Sequence, residues 1–218
     1  MISVFAAATE CLSDGNLFAG LYETVHPRRK EKIDKMRLDK DRRLSLGAGL
    51  LLKKALLNFG VDYDNAVFAE DSNGKPYIVG GKLFFNLSHS ENRVMCAVSD
   101  KPVGCDVEKL GKYNDAIAKR FYHKNEYAYI LSLGNEEEKR DAFYRIWTQK
   151  ESFVKAIGLG IRLPFDSFSA LVEFGLPVEQ SAVNEDYFIR SFDVLDKYKC
   201  SVCSVYKNIP DIKEISLL

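Results

Sequence analysis

The sequence lacks most of the patterns that assign a chain to a class at once. Its 218 residues include five cysteines, an odd number, and no CxxC pairs with a second CxxC or with two histidines. Neither a zinc site nor a disulfide framework is therefore indicated. The chain contains no GxGxxG fingerprint and no Walker loop. It also has no nucleophile elbow, which leaves acyl-enzyme chemistry with little support.

Long apolar runs are absent as well. No stretch reaches the length of a membrane-spanning helix, and the N-terminus carries no basic region followed by an apolar run. The cysteines show no pattern of a secreted, disulfide-bonded protein. We therefore expect a protein that works in the reducing cytoplasm and does not use a membrane.

The chain also has no formal net charge, because 31 Lys and Arg residues balance 31 Asp and Glu residues. This neutrality argues against a nucleic-acid-binding protein that works through bulk charge. The charge is nevertheless uneven, since residues 28–54 contain eleven basic and four acidic residues. Such a segment indicates either a local anion site or a solvated basic helix face.

The periodicity of apolar residues predicts a mixed α+β fold. Helical spacing runs from Asp39 to Gly60, with apolar positions at Leu44, Ala48, Leu51, Ala55, Leu56 and Phe59. It runs again from Asp115 to Gly158, with a break at Gly134. Strand-like runs occupy Ile2 to Ala8, residues 83–99 as a pair joined around Ser90 to Asn92, residues 103–108, and then residues 163–174, 187–195 and 199–206.

The order of these elements repeats along the chain. A long helix that ends at a glycine, then a turn and strands, occurs once around GAGLLLKKALLNFG and once around TQKESFVKAIGLG. This order predicts two similar α+β halves, 1–101 and 102–218, with the boundary near Lys101 and Pro102.

A pair of carboxylates in the second half has the pattern of a cation site. Asp106 and Glu108 are two residues apart in the predicted strand VGCDVEKL, so both side chains point to one face. Other acid-x-acid pairs in the chain lie in polar turns or at the starts of helices, whereas this pair is flanked by apolar residues. Because an unpaired carboxylate is costly there, the pair indicates a bound metal or another cation.

A third carboxylate lies on the following long helix, in WTQKESF. The predicted inward stripe of this helix consists of Phe143, Ile146, Trp147, Val154 and Ile157. Glu151 comes four residues after Trp147 and three before Val154, at the edge of this stripe rather than opposite to it. A carboxylate at that place needs a cation, which Lys150, Lys155 or a metal could supply. The simpler interpretation is a helix pair with Lys155, four residues further on.

Two short motifs offer donors to an anion. In NLSHS, His89 lies between Ser88 and Ser90 at the end of a predicted strand, and GKP places Lys75 in a turn. Taken alone, His89 is better interpreted as a polar turn residue.

Taken together, RRLSLG, GKPY, FFNLSHS, VGCDVE and FYRIWTQKESFVKAIGLGIRLPFDSFS resemble the successive motifs of the Sfp-type 4′-phosphopantetheinyl transferases. The motifs occur in order from about Arg28 to Ser169. The resemblance implies a pseudo-dimer of two similar α+β halves with coenzyme A in the cleft between them, acting as a monomer. It also implies a reaction, the transfer of the 4′-phosphopantetheine arm of coenzyme A to a serine of an apo acyl- or peptidyl-carrier protein.

The resemblance also implies roles for individual residues. Asp106, Glu108 and Glu151 would hold Mg²⁺, which prefers oxygen ligands. Lys155 would meet the reacting phosphate, and Glu126 would help to deprotonate the incoming serine. Contacts with the coenzyme would come from Arg29 and Lys32 at the 3′-phosphate, and from Arg43, Lys75, Ser88 and His89 along the nucleotide and its phosphates.

Two other functions use the same residues. A different Mg²⁺-dependent phosphotransferase or phosphodiesterase would need the three acids but no protein acceptor. A non-catalytic homologue would bind coenzyme A or a carrier without turnover, although the intact acids and Lys155 argue against it. The sequence leaves open which carrier is the partner, whether in fatty acid, polyketide or nonribosomal peptide synthesis.

Overall fold

The structure is a computed structural model that describes residues 1–172, 175–193 and 195–218. Its helices are α1 (Gly15–Tyr22), α2 (Pro27–Asp34), α3 (Asp39–Leu57), α4 (Asp115–Phe121), α5 (Lys124–Ser132) and α6 (Glu136–Ile157). Its strands are β1 (Ile2–Ala8), β2 (Phe68–Glu70), β3 (Pro76–Ile78), β4 (Phe84–Ser90), β5 (Arg93–Ser99), β6 (Val103–Lys109), β7 (Phe188–Phe192), β8 (Tyr198–Ser204) and β9 (Ile212–Glu214).

The chain forms two compact units. The first contains Met1–Asp100 together with Pro210–Leu218, and the second contains Lys101–Ile209. The sequence placed the boundary near Lys101 and kept residues up to 218 with the second half. The last nine residues lie with the first unit because β9 pairs in parallel with β1.

The first unit is a four-stranded sheet covered by α3. The strand order is β4-β5-β1-β9, in which β5 pairs antiparallel with both β4 and β1. The predicted apolar positions of α3 are buried, as with Leu44, Leu51 and Leu56, and only Phe59 beyond its end stays half-buried. Gly60 follows the helix with φ of 68°, a conformation that favours glycine.

The second unit is a three-stranded sheet, β6-β8-β7, on which α6 packs. Gly104 on β6 lies directly under α6. A Cβ at this position would lie 2.0 Å from the carbonyl oxygen of Ser152 and 2.4 Å from the amide nitrogen of Ala156. The absence of a side chain at Gly104 therefore sets how closely α6 approaches β6.

Local signals explain why α6 begins and ends where it does. The side chain of Asn135 accepts a hydrogen bond from the amide of Glu138, and acidic residues fill the first turn, where the helix dipole favours them. At the other end, Gly158 adopts φ of 74° and caps the helix. The predicted break at Gly134 is confirmed, because α5 ends at Ser132.

One predicted strand is wrong. Residues 163–174 form a 3-10 turn at Phe165–Ser167 and a single bridge between Ser169 and Glu179, while residues 173 and 174 lie outside the described part. The reason is local, since the carbonyls of Phe165 and Phe168 turn toward the ammonium of Lys150 instead of a neighbouring strand. The run 187–195 forms β7, and its residue 194 is likewise not described.

Among the described residues, no helix is both long and apolar enough to cross a bilayer.

Candidate active site

Three charged side chains of the second unit meet between β6 and α6. The Nζ of Lys155 lies 2.5 Å from Oδ1 of Asp106 and 3.8 Å from Oε2 of Glu151. Glu108 stands two residues beyond Asp106 on β6. We call Asp106, Glu108, Glu151 and Lys155 the carboxylate–lysine cluster.

The cluster follows from two periodicities. Alternate residues of a strand share a face, so Gly104, Asp106 and Glu108 point the same way, and Gly104 shows that this face meets α6. Residues four apart on a helix are neighbours, which places Glu151 beside Lys155. In the structure Glu151 faces Lys155 at 3.8 Å, which is the helix pair that the sequence offered as the simpler interpretation.

Asp106 and Glu151 share one positive charge, the ammonium of Lys155. Burial raises the pKa of Glu151 and nearby Asp106 adds to this, while Lys155 acts in the opposite direction. Burial lowers the pKa of Lys155, but the carboxylates of Asp106 and Glu151 outweigh it, so that this pKa is raised overall. Lys155 therefore stays protonated at neutral pH.

The donors of the cluster suit a hard cation. In the part of the chain that the structure describes, no group of three or more His, Cys, Asp or Glu residues is close enough to hold a metal ion. Asp106 and Glu151 nevertheless converge on one ammonium, and Glu108 shares the face of Asp106. Carboxylate oxygens are the ligands that Mg²⁺ prefers, so the residues fit this ion by donor type.

A second feature, in the first unit, is a cavity of about 630 Å³ that we call the basic cavity. Arg29 and Lys32, the residues assigned to the 3′-phosphate, both line it. The other lining residues are His26, Arg28, Glu31, Lys35, Leu52, Tyr63, Phe68, Glu70, Gly74, Pro76 and Phe85. The cavity therefore combines an excess of basic side chains with an aromatic wall.

The charges of the basic cavity are unequally satisfied. Arg28 pairs with Glu70 at 2.9 Å and donates to the carbonyl of Phe68. For Arg29 and Lys32, by contrast, no ion pair is recorded among the described residues. Burial lowers the pKa of Lys32 and the neighbouring Arg29 lowers it further, while Glu70 acts in the opposite direction. Two cations held together in this way favour a bound anion.

The position of Arg29 depends on a glycine of α3. A Cβ on Gly49 would lie 2.9 Å from Cγ of Arg29, so the arginine stem crosses the helix where there is no side chain. Burial lowers the pKa of Arg29, while the nearby Tyr63 acts in the opposite direction. The sequence did not single out Gly49, although the motif SLGAG contains it.

The other residues assigned to the coenzyme are placed separately. Lys75 follows Gly74 of the basic cavity, in a turn where its amide donates to Asp71. Ser88 and His89 are neighbours on β4 and so point to opposite faces, the serine buried and the histidine exposed. Arg43 lines a different cavity of about 200 Å³, with Leu12 and Asp39 among its other residues.

Glu126, the base implied by the resemblance, lies at the start of α5 with a fully buried side chain. It accepts hydrogen bonds from the amides of His123 and Ala170 and forms an ion pair with Lys150, whose side chain is also fully buried. The sequence reasoning missed the burial of Lys150. A signal existed, because Lys150 lies four residues before Val154 in the predicted inward stripe.

Comparison with known families identifies the class of protein. A family model described as the 4′-phosphopantetheinyl transferase superfamily matches residues 102–203. Another, described as the N-terminal part of 4′-phosphopantetheinyl transferases, matches residues 14–101. The chain belongs to the 4′-phosphopantetheinyl transferase superfamily.

Individual relatives agree with this assignment. A 4′-phosphopantetheinyl transferase of Bacillus subtilis is 35% identical over 191 residues, covering 86% of this chain and 85% of the relative. The enzyme gsp of Aneurinibacillus migulanus is 31% identical over 201 residues, covering 91% and 84%. The enzyme Sfp of Bacillus subtilis strain 168 is 31% identical over 191 residues, covering 86% and 85%.

Proposed function

We propose that this chain is a 4′-phosphopantetheinyl transferase that moves the phosphopantetheine arm of coenzyme A to a serine of an apo acyl- or peptidyl-carrier protein. The observation that supports it most is the carboxylate–lysine cluster in a chain of this superfamily. There, Asp106 and Glu151 share the ammonium of Lys155, at 2.5 and 3.8 Å. Such a group of fixed charges suits phosphate chemistry, in which positioning and charge neutralisation account for most of the catalysis.

The proposed reaction exchanges one P–O bond for another. The serine hydroxyl gives up its proton to a water molecule, its oxygen bonds to the β-phosphorus of coenzyme A, the pyrophosphate P–O bond breaks, and 3′,5′-ADP leaves with the negative charge. Asp106, Glu108 and Glu151 would hold Mg²⁺, which neutralises charge on the pyrophosphate. Lys155, protonated between two carboxylates, donates hydrogen bonds to the same phosphates.

The basic cavity is proposed to bind the other end of the coenzyme. Arg29 and Lys32 would contact the 3′-phosphate, where their mutual repulsion is relieved by the anion. Lys75, Ser88 and His89 would contact the nucleotide and its phosphates. Arg43, which lines another cavity, has no part in this proposal. We further propose that the protein acts as a monomer in the cytoplasm.

The first prediction is the activity itself. In the presence of coenzyme A and Mg²⁺, at least one member of a panel of apo carrier proteins should gain the mass of one phosphopantetheine arm. Intact mass spectrometry measures the gain, and a chelator should abolish it. Hydrolysis of coenzyme A without carrier modification would instead support a phosphodiesterase. Coenzyme binding without either reaction would support a non-catalytic homologue.

The second prediction concerns the basic cavity. The Arg29→Ala/Lys32→Ala variant should show a KM for coenzyme A raised about tenfold or more, with kcat little changed. The physical reason is that these cations contact a phosphate remote from the reacting phosphorus, so they bind the ground state and the transition state alike. Steady-state kinetics with coenzyme A and with dephospho-coenzyme A measure the effect.

Dephospho-coenzyme A provides the control substrate, because it lacks the 3′-phosphate. The wild-type protein should prefer coenzyme A, and the double variant should largely lose this preference. Lys30→Ala is the control variant, since Lys30 lies on the same helix but pairs with Glu23 at 2.6 Å outside the cavity lining. An unchanged preference in the double variant would mean that the cavity does not bind this phosphate.

A further inference from the structure

The most enclosed charged side chain of α6 is Lys150, which directly precedes Glu151. Its Nζ donates to the carbonyls of Phe165 and Phe168, each at 2.7 Å, and lies 2.8 Å from Oε2 of Glu126. It also lies 4.0 Å from the centre of the Phe168 ring. Three donors of the ammonium thus meet three acceptors, which leaves this buried charge fully satisfied.

Glu126 completes the same network from another element. Its Oε1 accepts a hydrogen bond from the amide of Ala170 at 2.7 Å, and its Oε2 accepts one from the amide of His123 at 2.9 Å. The carboxylate thereby caps α5 and holds the end of the segment 165–170. A substrate hydroxyl would have to displace these donors and enter a site with no solvent exposure to reach it.

Aromatic contacts fix the same segment on either side of Lys150. One helical turn before Lys150, Trp147 packs on Phe165 with ring centres 5.5 Å apart. One turn after it, Phe153 packs on Phe168 at 4.9 Å. The segment 165–170 therefore lies along one stripe of α6 and prevents the helix from turning about its axis.

We propose that Glu126 and Lys150 form a buried clamp that fixes the rotation of α6 and so aims Glu151 at Asp106. In this role, which rests on the proposed function, Glu126 is a positioning residue and not the base that takes the serine proton. Successive residues of a helix are about 100° apart around its axis, so fixing the direction of Lys150 fixes that of Glu151. The ion pair acts on the metal site through the helix, without touching the substrate.

The two possible roles of Glu126, positioning residue and base, predict opposite results for the Glu126→Gln/Lys150→Met variant. Glu126→Gln and Lys150→Met each leave one buried charge without its partner, whereas the combined variant leaves neither charge. We expect each single change to lower kcat by about tenfold or more. The combined variant should recover at least about threefold over Glu126→Gln. A base cannot be restored by removing its neighbour, so a double variant as inactive as Glu126→Gln would overturn the proposal.

A second measurement follows the metal site without turnover. Mn²⁺, a substitute for Mg²⁺ at carboxylate sites, is titrated against each protein with coenzyme A present, and free Mn²⁺ is read from its EPR signal. The clamp predicts that Glu126→Gln and Lys150→Met weaken Mn²⁺ binding about fivefold, with partial recovery in the combined variant. Unchanged Mn²⁺ binding in Glu126→Gln, together with lost turnover, would favour the base.

A control variant for folding is available in the same helix. The Glu136→Gln/Lys139→Met variant removes, by the same two exchanges, a pair in the first turn of α6 in which Glu136 is exposed and Lys139 half-buried, and it should leave kinetics and Mn²⁺ binding unchanged. Trp147, the only tryptophan of the chain, packs on Phe165, so its emission reports whether the segment is docked. If both single variants unfold, the combined variant tests the proposal. Turnover with weakened Mn²⁺ binding supports the clamp, and normal Mn²⁺ binding without turnover overturns it.

If the protein carries out no carrier modification at all, the proposed function fails while the clamp stays testable. The Mn²⁺ titration and the tryptophan emission do not depend on turnover. A clamp that orients Glu151 should still weaken Mn²⁺ binding when it is broken.

Discussion

The Asp106→Asn variant is expected to lose more than about 100-fold in kcat/KM for carrier modification while remaining folded. Changes to groups that only support metal ligands cost about 10- to 100-fold, and Asp106 is proposed to be a ligand itself. Asparagine keeps the shape of the buried side chain, which is 3% exposed, but removes the negative charge that faces Lys155. The measurement is the rate of phosphopantetheine transfer at saturating Mg²⁺, followed by intact mass.

Glu151→Gln should lower kcat/KM by a similar factor. The Asp106→Asn/Glu151→Gln variant should lose much less than the product of the two single effects. Both carboxylates serve one cation, so the second change removes little that the first has left. Glu137→Gln is the control, because Glu137 lies on the same helix with its side chain 84% exposed. Normal rate and normal Mg²⁺ dependence in Glu151→Gln would reduce this residue to a plain helix partner of Lys155.

The Gly104→Ala variant is expected to lose nearly as much activity as the Asp106→Asn variant, although the change adds only a methyl group. The new Cβ would lie 2.0 Å from the backbone oxygen of Ser152, which cannot rotate away as a side chain would. The helix α6 must therefore move off β6, at a cost of about 1–3 kcal/mol in the free energy of unfolding. A misplacement of about 1 Å at a catalytic site costs about 100-fold in rate, so kcat should fall by that order.

The matched control is Gly134→Ala in the same unit. There, the added Cβ would meet its nearest atom, Oε2 of Glu138, at 3.6 Å, which is an ordinary contact. Thermal unfolding and kcat should both stay near wild type in this variant. If Gly104→Ala had the same kinetics and melting temperature as Gly134→Ala, the spacing between β6 and α6 would not matter to the cluster.

The part of the site that depends on local periodicity could be predicted from the sequence. A strand over residues 103–108 places Asp106 and Glu108 on one face, and a helix places Glu151 beside Lys155. These relations need only the repeat of each element. Periodicity alone predicted two separate pairs, and only the resemblance to the family joined the four residues into one proposed site.

The part that depends on distant backbone could not be predicted. The carboxylate of Glu126 is enclosed by the amide of Ala170 and by Lys150, whose other partners are carbonyls of a segment that the sequence assigned to a strand. Backbone acceptors have no side-chain signature, so a fully satisfied buried lysine resembles an exposed one in the sequence. The resemblance to a family did not reveal it either, because motifs do not state burial.

Strand β9 shows a third kind of limit. It is three residues long and reads IKE, which has neither the length nor the apolar alternation of a recognisable strand. Its pairing with β1 was therefore missed, and residues 210–218 were assigned to the wrong neighbours. Short edge strands are specified mainly by the partner that they join.

The pairing of β9 with β1 also has a consequence for the order in which the chain is made. A ribosome completes Met1–Asp100 early, but the strand that covers the outer edge of β1 emerges only after all of Lys101–Ile209. Until then β1 presents unpaired backbone groups, the feature of an unfinished sheet that invites association with other chains. Nascent chains that stall between the two events should therefore be the most prone to aggregate.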